Sequence, residues 1–239
     1  MSSNRKALVF GGTGYVGTEV IKALSSAEIP TLFTYFRSEE QANQLMQLSH
    51  INGKQVDLRE PAQIQALFAH MAQEGFLPDI FIHCATVGDW SKLSDISPVQ
   101  WSELQQVNTQ SAFFACQMLS SRLIEAQKSG DLVFVTAMTG VMAVPAPVHF
   151  ASTQGAILGM MRALSKELGQ HNIRSNAVML GILEGGISQK LDKNLLKDYQ
   201  HFSSLGRLGT AEEAAKPILW LALQNESMSG ATLNVNGGL

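Results

Sequence analysis

The sequence predicts an α/β fold, a doubly wound parallel sheet of about seven strands with helices on both faces. Two observations support this prediction. Short apolar and β-branched segments alternate with segments of helical periodicity, and a glycine-rich loop joins the first of each kind. We expect one domain, 1–239, because the sequence contains no internal repeat, low-complexity tract or Pro/Ser-rich linker.

Each element follows from its own local pattern. The first strand is an apolar run (ALVF) that ends in glycines, and the first helix repeats apolar residues at helical spacing. The third helix begins at Pro61, which suits a first helical turn. The predicted strands are 7–10, 31–36, 54–58 (an edge strand), 79–85, 132–136, 173–180 and 231–235. The predicted helices are 15–27, 39–48, 61–73, 98–128, 150–168 and 210–223.

Residues 182–206 interrupt this alternation. The segment is polar, contains glycines and follows a predicted strand directly. Because connecting segments often carry binding residues, we expect a flap on the substrate side of the sheet.

Composition narrows the function classes. Apolar residues make up 45% of the chain, and the net charge of −3 includes no block of like charge, which gives no reason to expect nucleic acid or a membrane surface as partner. No apolar run approaches the roughly 20 residues of a membrane span. The N-terminal apolar run is too short for a signal peptide, so we expect a cytoplasmic protein. Cys84 and Cys116 are isolated and are interpreted as buried thiols, with no metal site.

The loop GGTGYVG follows the first strand and precedes the first helix. Gly11, Gly14 and Gly17 recur at every third position, and this context is typical of a loop that receives a dinucleotide pyrophosphate. The glycines permit a tight turn, and the helix start offers free N–H groups and a favourable dipole. The alternative is a loop that serves helix–strand packing alone.

The end of the second strand indicates which cofactor is preferred. NAD-binding proteins usually place an acidic residue there to hold the ribose hydroxyls, whereas this sequence reads Tyr35-Phe36-Arg37-Ser38. Because Arg37 could pair with a 2′-phosphate, we expect NADP(H) in preference to NAD(H). The alternative is that Arg37 is an ordinary solvated side chain at a helix start.

Several motifs, in the right order, resemble the short-chain dehydrogenase/reductase family, and 3-oxoacyl-acyl-carrier-protein reductases in particular. The C-terminal run GRLGTAEEAAKPILWLALQNESMSGATLNVNGGL carries the most extensive resemblance, supported by RSNAVMLG at 174–181, VDLRE at 56–60 and QVNTQSAFF at 106–114. The resemblance covers nearly the whole chain and implies a Rossmann fold. It implies that Asp57 contacts the adenine and that Asn108 is the family's structural and catalytic asparagine.

The loop and the resemblance together give a set of expected cofactor-binding residues. They are Gly11, Thr13, Gly14, Tyr15, Val16, Gly17, Arg37, Asp57, Leu58, Ala85, Asn108 and Gln154. Tyr15 stands where one form of the family loop has its middle glycine, but the loop fits the form used by extended and atypical members.

The sequence departs from the family at the positions of the catalytic residues. The resemblance implies a serine, a tyrosine and a lysine where this chain has Ala137, Phe150 and Gln154. Phenylalanine has no proton to donate and alanine has no hydroxyl, while the glutamine amide could still reach a ribose hydroxyl. His149 is rotated about 100° from the tyrosine position on a helix, so it is a poor substitute. No catalytic residue is therefore assigned.

Three functions remain open at this stage. The first is a non-catalytic pseudo-reductase that binds NADP(H) or a partner in an acyl-chain pathway. The second is an active NADP(H)-dependent oxidoreductase with a non-standard proton donor, and the third is an NADP(H)-sensing regulator. The expected partners are SDR-type subunits in a homo- or hetero-oligomer, and an acyl-carrier-linked substrate or a pathway enzyme. The helix at 151–163 has a face of alanine and glycine, and the resemblance implies that this helix packs against another subunit.

Overall fold

The predicted doubly wound sheet is confirmed. In the computed structural model, which describes residues 5–239, seven parallel strands lie in the order β3-β2-β1-β4-β5-β6-β7. The strands are β1 (Ala7–Phe10), β2 (Thr31–Tyr35), β3 (Ile51–Gln55), β4 (Ile80–His83), β5 (Gly130–Ala137), β6 (Ile173–Leu180) and β7 (Thr232–Val235). The helices are α1 (Tyr15–Ser26), α2 (Glu39–Leu45), α3 (Pro61–Gln73), α4 (Pro98–Gln105), α5 (Ser111–Glu125), α6 (Val148–Leu168), α7 (Lys193–Phe202) and α8 (Ala211–Leu223).

The strand order reverses between β1 and β4, which creates a crevice at the carboxyl edge of the sheet. β1 pairs with β2 on one side and with β4 on the other, with Phe10 opposite His83 at the last pair. Open α/β sheets bind their ligands where the strand order reverses in this way.

The two faces of the sheet bury separate apolar clusters because neighbouring side chains in a strand point in opposite directions. Leu8 and Phe10 face a cluster that includes residues of α3, α5 and α6. Ala7 and Val9 face the other cluster, which includes residues of α1, α2 and α8. The carboxyl edge, between these two layers, is thereby left open for the site.

Besides shifts of one to three residues at several element ends, three parts of the chain differ from the sequence prediction. The third strand is 51–55 and not 54–58, because only Ile51 of this edge strand is buried and the alternating pattern is lost. The single helix expected at 98–128 is divided by a π-helical turn at Gln106–Gln110. Within the flap, α7 is a helix that the sequence reading missed. Among the helices of residues 5–239, none is long and apolar enough to cross a membrane.

Candidate functional site

The loop between β1 and α1 leaves backbone N–H groups free at the helix start. Gly14 is the N-cap residue, and no side chain caps the helix there. The first-turn N–H groups therefore lack intrahelical acceptors, and the helix dipole favours an anion at this end. Gly17 permits the tight packing of the loop, because a Cβ there would lie 2.1 Å from the carbonyl oxygen of Gly11. This geometry suits a bound phosphate.

Two cavities open beside the glycine loop. The first, here called the β2-side cavity, has a volume of about 340 Å³. The second, called the flap-side cavity, has a volume of about 370 Å³. Both are lined by Gly14, Cys84 and Thr86, so they are two halves of one crevice. An elongated ligand such as a dinucleotide could occupy both halves.

Arginines and carboxylates line the β2-side cavity. Arg59 binds both carboxylate oxygens of Asp57, at 2.7 Å and 2.9 Å, and also reaches Glu103 at 3.2 Å. The hydrogen bond from Arg59 is the main cause that lowers the pKa of Asp57. The guanidinium groups of Arg37 and Arg59 each lie 5.1 Å from the centre of the Phe36 ring, within cation–π distance.

The pairing of these charges leaves Arg37 as the free cation of the β2-side cavity. Both lining carboxylates are held by Arg59, and Arg37 is exposed with no carboxylate partner within residues 5–239. An anionic group placed beside Phe36 would therefore meet a guanidinium group that has no salt-bridge partner among the described residues.

The flap-side cavity is mainly apolar. Its walls include Val135, Met138, Phe150, Ile182, Ile187, Leu191 and Leu195. Among the described residues that line it, Lys190 is the only charged one, and Tyr15 is the only phenol. The hydroxyls of Thr86, Thr136, Thr139 and Ser188 are the other side-chain O–H groups on its lining residues.

The Gln154 side chain is buried and makes its hydrogen bonds within the protein. Its Oε1 accepts from the backbone N–H of Ala137 at 3.0 Å and from the Thr136 hydroxyl at 3.1 Å. Its Nε2 donates to Thr153 Oγ1 at 3.1 Å. The last pair between β4 and β5 joins His83 to Phe134, so this amide satisfies a strand N–H that lies beyond the end of β4.

Phe150 and Trp90 form an aromatic wall of the same cavity. Their ring centres are 6.1 Å apart with planes inclined by 44°, and Phe150 is buried. The resemblance implies a proton-donating phenol at Phe150, and the structure places only ring carbon there. Ala137 lines the cavity as well and adds no polar side chain.

Asn108 lies in the π-helical turn and holds the loop that follows β4. Its Oδ1 accepts from the N–H of Val87 at 2.7 Å, while its Nδ2 donates to the Val87 carbonyl at 2.9 Å and to Thr153 at 3.1 Å. The side chain is buried and lines neither cavity. Its contacts fix both the loop and the start of α6, where Phe150 and Gln154 lie.

His149 points to Asp89 and does not line either cavity. Its Nε2 lies 3.1 Å from Asp89 Oδ1, which also accepts from the N–H of Ser91 at 2.9 Å. Hydrogen bonds from Ser91 are the largest cause that lowers the pKa of Asp89 to about 2. The contact between His149 and Asp89 fixes Asp89, the residue before Trp90, and so supports the aromatic wall formed by Trp90 and Phe150.

Two other titratable groups at the end of β4 stay neutral near pH 7. Burial lowers the pKa of His83 to about 4, and its Nε2 lies 3.1 Å from the hydroxyl of Ser111. Burial raises the pKa of the Cys84 thiol to about 12. A neutral imidazole bonded inside the core and a thiol of such high pKa are poor proton donors.

The structure brings most of the sequence-predicted residues to the crevice. Those that line a cavity are Gly11, Thr13, Gly14, Tyr15, Val16, Arg37, Asp57, Leu58, Ala85, Ala137, Phe150 and Gln154. Gly17 and Asn108 line neither cavity and act on the residues that do.

Sequence reasoning missed Arg59, Phe36 and Trp90. The residue pair Asp57 and Arg59 stands two apart after a strand, which is a sequence signal for the ion pair. No local pattern pointed to Trp90, because its contact with Phe150 joins distant parts of the chain.

The family comparison agrees with the geometry. The family model described as enoyl-(acyl carrier protein) reductase matches residues 15–239. The 3-oxoacyl-(acyl-carrier-protein) reductase of Chlamydia trachomatis serovar D is 27% identical over 242 residues, which is 99% of this chain and 97% of that protein. The 3alpha-hydroxysteroid dehydrogenase of Mediterraneibacter gnavus is 27% identical over 244 residues, again 99% and 97% of the two chains.

Solved structures share the fold. The structure of 4-hydroxyisoleucine dehydrogenase complexed with NADH has a TM-score of 0.93 at 21% identity and covers 98% of both chains. The 3-oxoacyl-(acyl-carrier protein) reductase from Brucella melitensis has a TM-score of 0.89 at 22% identity, over 99% of this chain and 91% of that one. Since the family match spans residues 15–239, the chain belongs to the short-chain dehydrogenase/reductase family and resembles the 3-oxoacyl-(acyl-carrier-protein) reductases within it.

Proposed function

We propose that the chain binds NADP(H) in the crevice and does not carry out ordinary carbonyl reduction. The observation that carries this proposal is that the Gln154 amide makes its hydrogen bonds within the protein, to Ala137, Thr136 and Thr153. It does not project a charged donor into the cavity. With Ala137 and Phe150 beside it, the three positions where the resemblance implies catalytic groups offer no proton.

The expected loss of rate is large. A positioned general acid usually contributes about 10² to 10⁴ in rate, and one oxyanion-stabilising donor contributes about 10² to 10³. These contributions are not additive, because the groups act as a unit. Reduction of a carbonyl by hydride leaves an alkoxide that needs a proton or a donor, and Phe150 and Ala137 supply neither.

The charges of the β2-side cavity support NADP(H) as the preferred cofactor. Asp57 and Glu103 are held by Arg59, and Arg37 is left to face a 2′-phosphate beside Phe36. The first turn of α1 would receive the pyrophosphate, and the apolar flap-side cavity would hold the nicotinamide. Bound in this way, the cofactor would supply hydride chemistry to any ligand in that cavity. Solved relatives whose names include NADH or NAD+ support binding of a nicotinamide dinucleotide.

Two measurements on the purified protein test the proposal. Calorimetric titration with NADPH, and with NADH for comparison, should give micromolar binding of NADPH and weaker binding of NADH. Oxidation of NADPH with a 3-oxoacyl thioester should stay at the background rate. Robust turnover would refute the non-catalytic assignment, and the lack of any nucleotide binding would refute the whole proposal.

A second candidate is turnover with a different proton donor. It is favoured by the presence of the Tyr15 phenol and the Lys190 ammonium on the lining of the flap-side cavity. This candidate predicts NADPH-dependent reduction within a broad carbonyl panel that falls at least a hundredfold in Tyr15→Phe or in Lys190→Met. If no member of the panel oxidises bound NADPH, this candidate is abandoned.

We also propose that the chain assembles with a second copy of itself or a related subunit. Trp101 of α4, Phe113 of α5 and Val148 of α6 are 44–49% exposed, and a Cβ at Gly159 on α6 would meet nothing within 4 Å. Large apolar side chains exposed on three helices are a feature of interaction surfaces. Light scattering after gel filtration should give a dimer or tetramer, and a monomer at micromolar concentration would exclude self-association.

An acyl chain linked to a carrier is the proposed ligand class of the flap-side cavity. The name of the Chlamydia relative, a 3-oxoacyl-(acyl-carrier-protein) reductase, and the apolar walls of the cavity support this class. A non-reactive acyl thioester that binds in this cavity should protect the lining residues from chemical labelling, or it should quench the fluorescence of Trp90, which is one of them. No response with acyl thioesters of several chain lengths would exclude the class.

A further inference from the structure

Tyr15 joins the glycine loop to the flap. It is the first residue of α1, and its position is therefore set by the N-cap residue Gly14. Its ring lies directly on Gly185 and Gly186, where a Cβ on Gly185 would stand 2.6 Å from Tyr15 Cε2. A Cβ on Gly186, which also has a φ of +68°, would stand 2.9 Å from Tyr15 Cβ. Only a segment without side chains can approach the ring this closely.

The two ends of the flap are held by other contacts. At its start, the N–H of Glu184 donates to the carbonyl of Gly209 at 2.9 Å. At its end, the hydroxyl of Tyr199 donates to the Asn236 carbonyl at 2.8 Å, and Ser203 donates to the Gly237 carbonyl at 2.9 Å. These bonds secure the ends, so they do not determine where the middle of the flap lies.

The middle of the flap lines one side of the flap-side cavity. On one side it rests on Tyr15, and on the other Ile187 comes within about 4 Å of the place where a Cβ of Gly88 would stand. Lys190 and Leu191 continue along the same cavity. Tyr15 is thus the point at which the flap residues that line the cavity meet the loop that would hold the cofactor phosphates.

We propose that Tyr15 is a positioning residue that makes closure of the flap depend on occupancy of the glycine loop. The inference rests on the proposed binding of NADP(H) in the crevice. A pyrophosphate bound to the first turn of α1 immobilises that turn and with it the ring, so residues 185–195 gain a fixed surface to close against. By linkage, a closed flap raises the affinity for the cofactor by the same factor.

The ring of Tyr15, and not its hydroxyl, carries the coupling. The atoms nearest to Gly185 are the ring carbons Cε2, Cζ and Cδ2, and the contact to Gly186 begins at Cβ. Tyr15→Phe therefore keeps the contact, whereas Tyr15→Ala removes it. Phe202→Ala is a matched control, because it removes an aromatic ring of the same flap that is 70% exposed.

Hydrogen exchange of residues 185–195, measured on the full chain with and without NADPH, tests the coupling, while calorimetry measures NADPH binding separately. In wild type, Tyr15→Phe and Phe202→Ala, we expect NADPH to slow exchange of the segment by roughly tenfold. In Tyr15→Ala the same segment should exchange faster without ligand and gain less than twofold protection at saturating NADPH, while calorimetry should show NADPH affinity lowered by up to the same tenfold, as linkage requires.

The outcomes separate the inference from the function on which it rests. Bound NADPH that protects the flap equally in wild type and in Tyr15→Ala would overturn the coupling and leave the proposed function intact. If NADPH binds to wild type but does not slow the hydrogen exchange of residues 185–195, the coupling is also overturned and the proposed function is left intact. The absence of NADPH binding to wild type would overturn the proposed function, and with it the coupling.

Discussion

Gln154→Met tests whether the glutamine has become a structural residue. Methionine has a similar length and fits a buried position, but it offers no comparable acceptor for the N–H of Ala137 or the hydroxyl of Thr136. If Gln154 acts by satisfying these donors, its loss should lower the stability of the protein even without any ligand.

The magnitude follows from the partners that remain. The N–H of Ala137 loses its acceptor at 3.0 Å, and a buried unsatisfied donor costs about 1–3 kcal/mol. The hydroxyl of Thr136 loses less, because it keeps the backbone carbonyl of Gln154 at 3.3 Å as a second acceptor. We therefore expect a loss of about 2–4 kcal/mol in the free energy of unfolding, and a Tm about 5–15 °C lower for a chain of this size.

Urea unfolding of the ligand-free protein, followed by circular dichroism, measures this loss. Thr136→Val is the matched control, since it removes one donor and leaves the Ala137 bond, and it should cost about 1 kcal/mol. The double variant should cost less than the sum of the two single ones, because Thr136 and Gln154 share a bond. A Gln154→Met variant within about 0.5 kcal/mol of wild type would refute the structural role assigned to the amide.

Three further predictions concern the cofactor, the loop after β4 and acid stability. Arg37→Gln should weaken NADPH binding by about 10- to 100-fold in calorimetry and leave NADH binding unchanged, because it removes one charge-assisted contact; equal losses for both nucleotides would contradict the 2′-phosphate assignment. Asn108→Ala should cost about 2–4 kcal/mol in urea unfolding, since the N–H and carbonyl of Val87 both lose their partner, and an unchanged midpoint would contradict it. The folded-state pKa of Asp89 is lowered from 3.8 to about 2, mainly by Ser91, so its contribution to stability is complete above pH 4 and is lost as the pH falls through 2. An Asp89→Asn variant should lack this part of the acid unfolding profile, and an identical profile would contradict the assignment.

The sheet could be predicted from the sequence because its inner strands are nearly continuous apolar runs. Residues 79–85 and 132–136 belong to strands that are largely buried on both faces, and such runs are easily distinguished from the helices between them. The sequence places β3 three residues too late, because INGKQ buries only Ile51 and the residues that follow it include the apolar Val56 and Leu58. The wrong boundary reflects an edge strand whose position is set by pairing with β2 and not by its own pattern.

The sequence does not predict the helix in the flap, for a related reason. Residues 193–202 expose most of their side chains and bury only Tyr199, so the segment reads as a polar loop. What fixes it is the distant bond from Tyr199 to the Asn236 carbonyl, which no local pattern reveals.

Residues that line the crevice could be predicted where a motif has its own spacing or where the family resemblance names a position. The glycine loop is predicted by its spacing, Arg37 by its place after β2, and Asp57 by the resemblance. Arg59 was missed, although its pairing with Asp57 decides which arginine is free for a phosphate. Trp90 was missed because its relation to Phe150 exists only in three dimensions.

The side chains of Gln154 and Phe150 at the cavity make defined contacts with the fold around them. Gln154 accepts hydrogen bonds from the N–H of Ala137 and the hydroxyl of Thr136, and Phe150 packs against Trp90. These contacts are compatible with the proposed binding role, and the buried Trp90 Nε1 and Thr139 Oγ1 on the lining of the same cavity, which have no hydrogen-bond partner within the described residues, are polar atoms that a bound ligand would meet. The remaining question is what the crevice binds, and Arg37 and the flap contacts are the places where that answer can be measured.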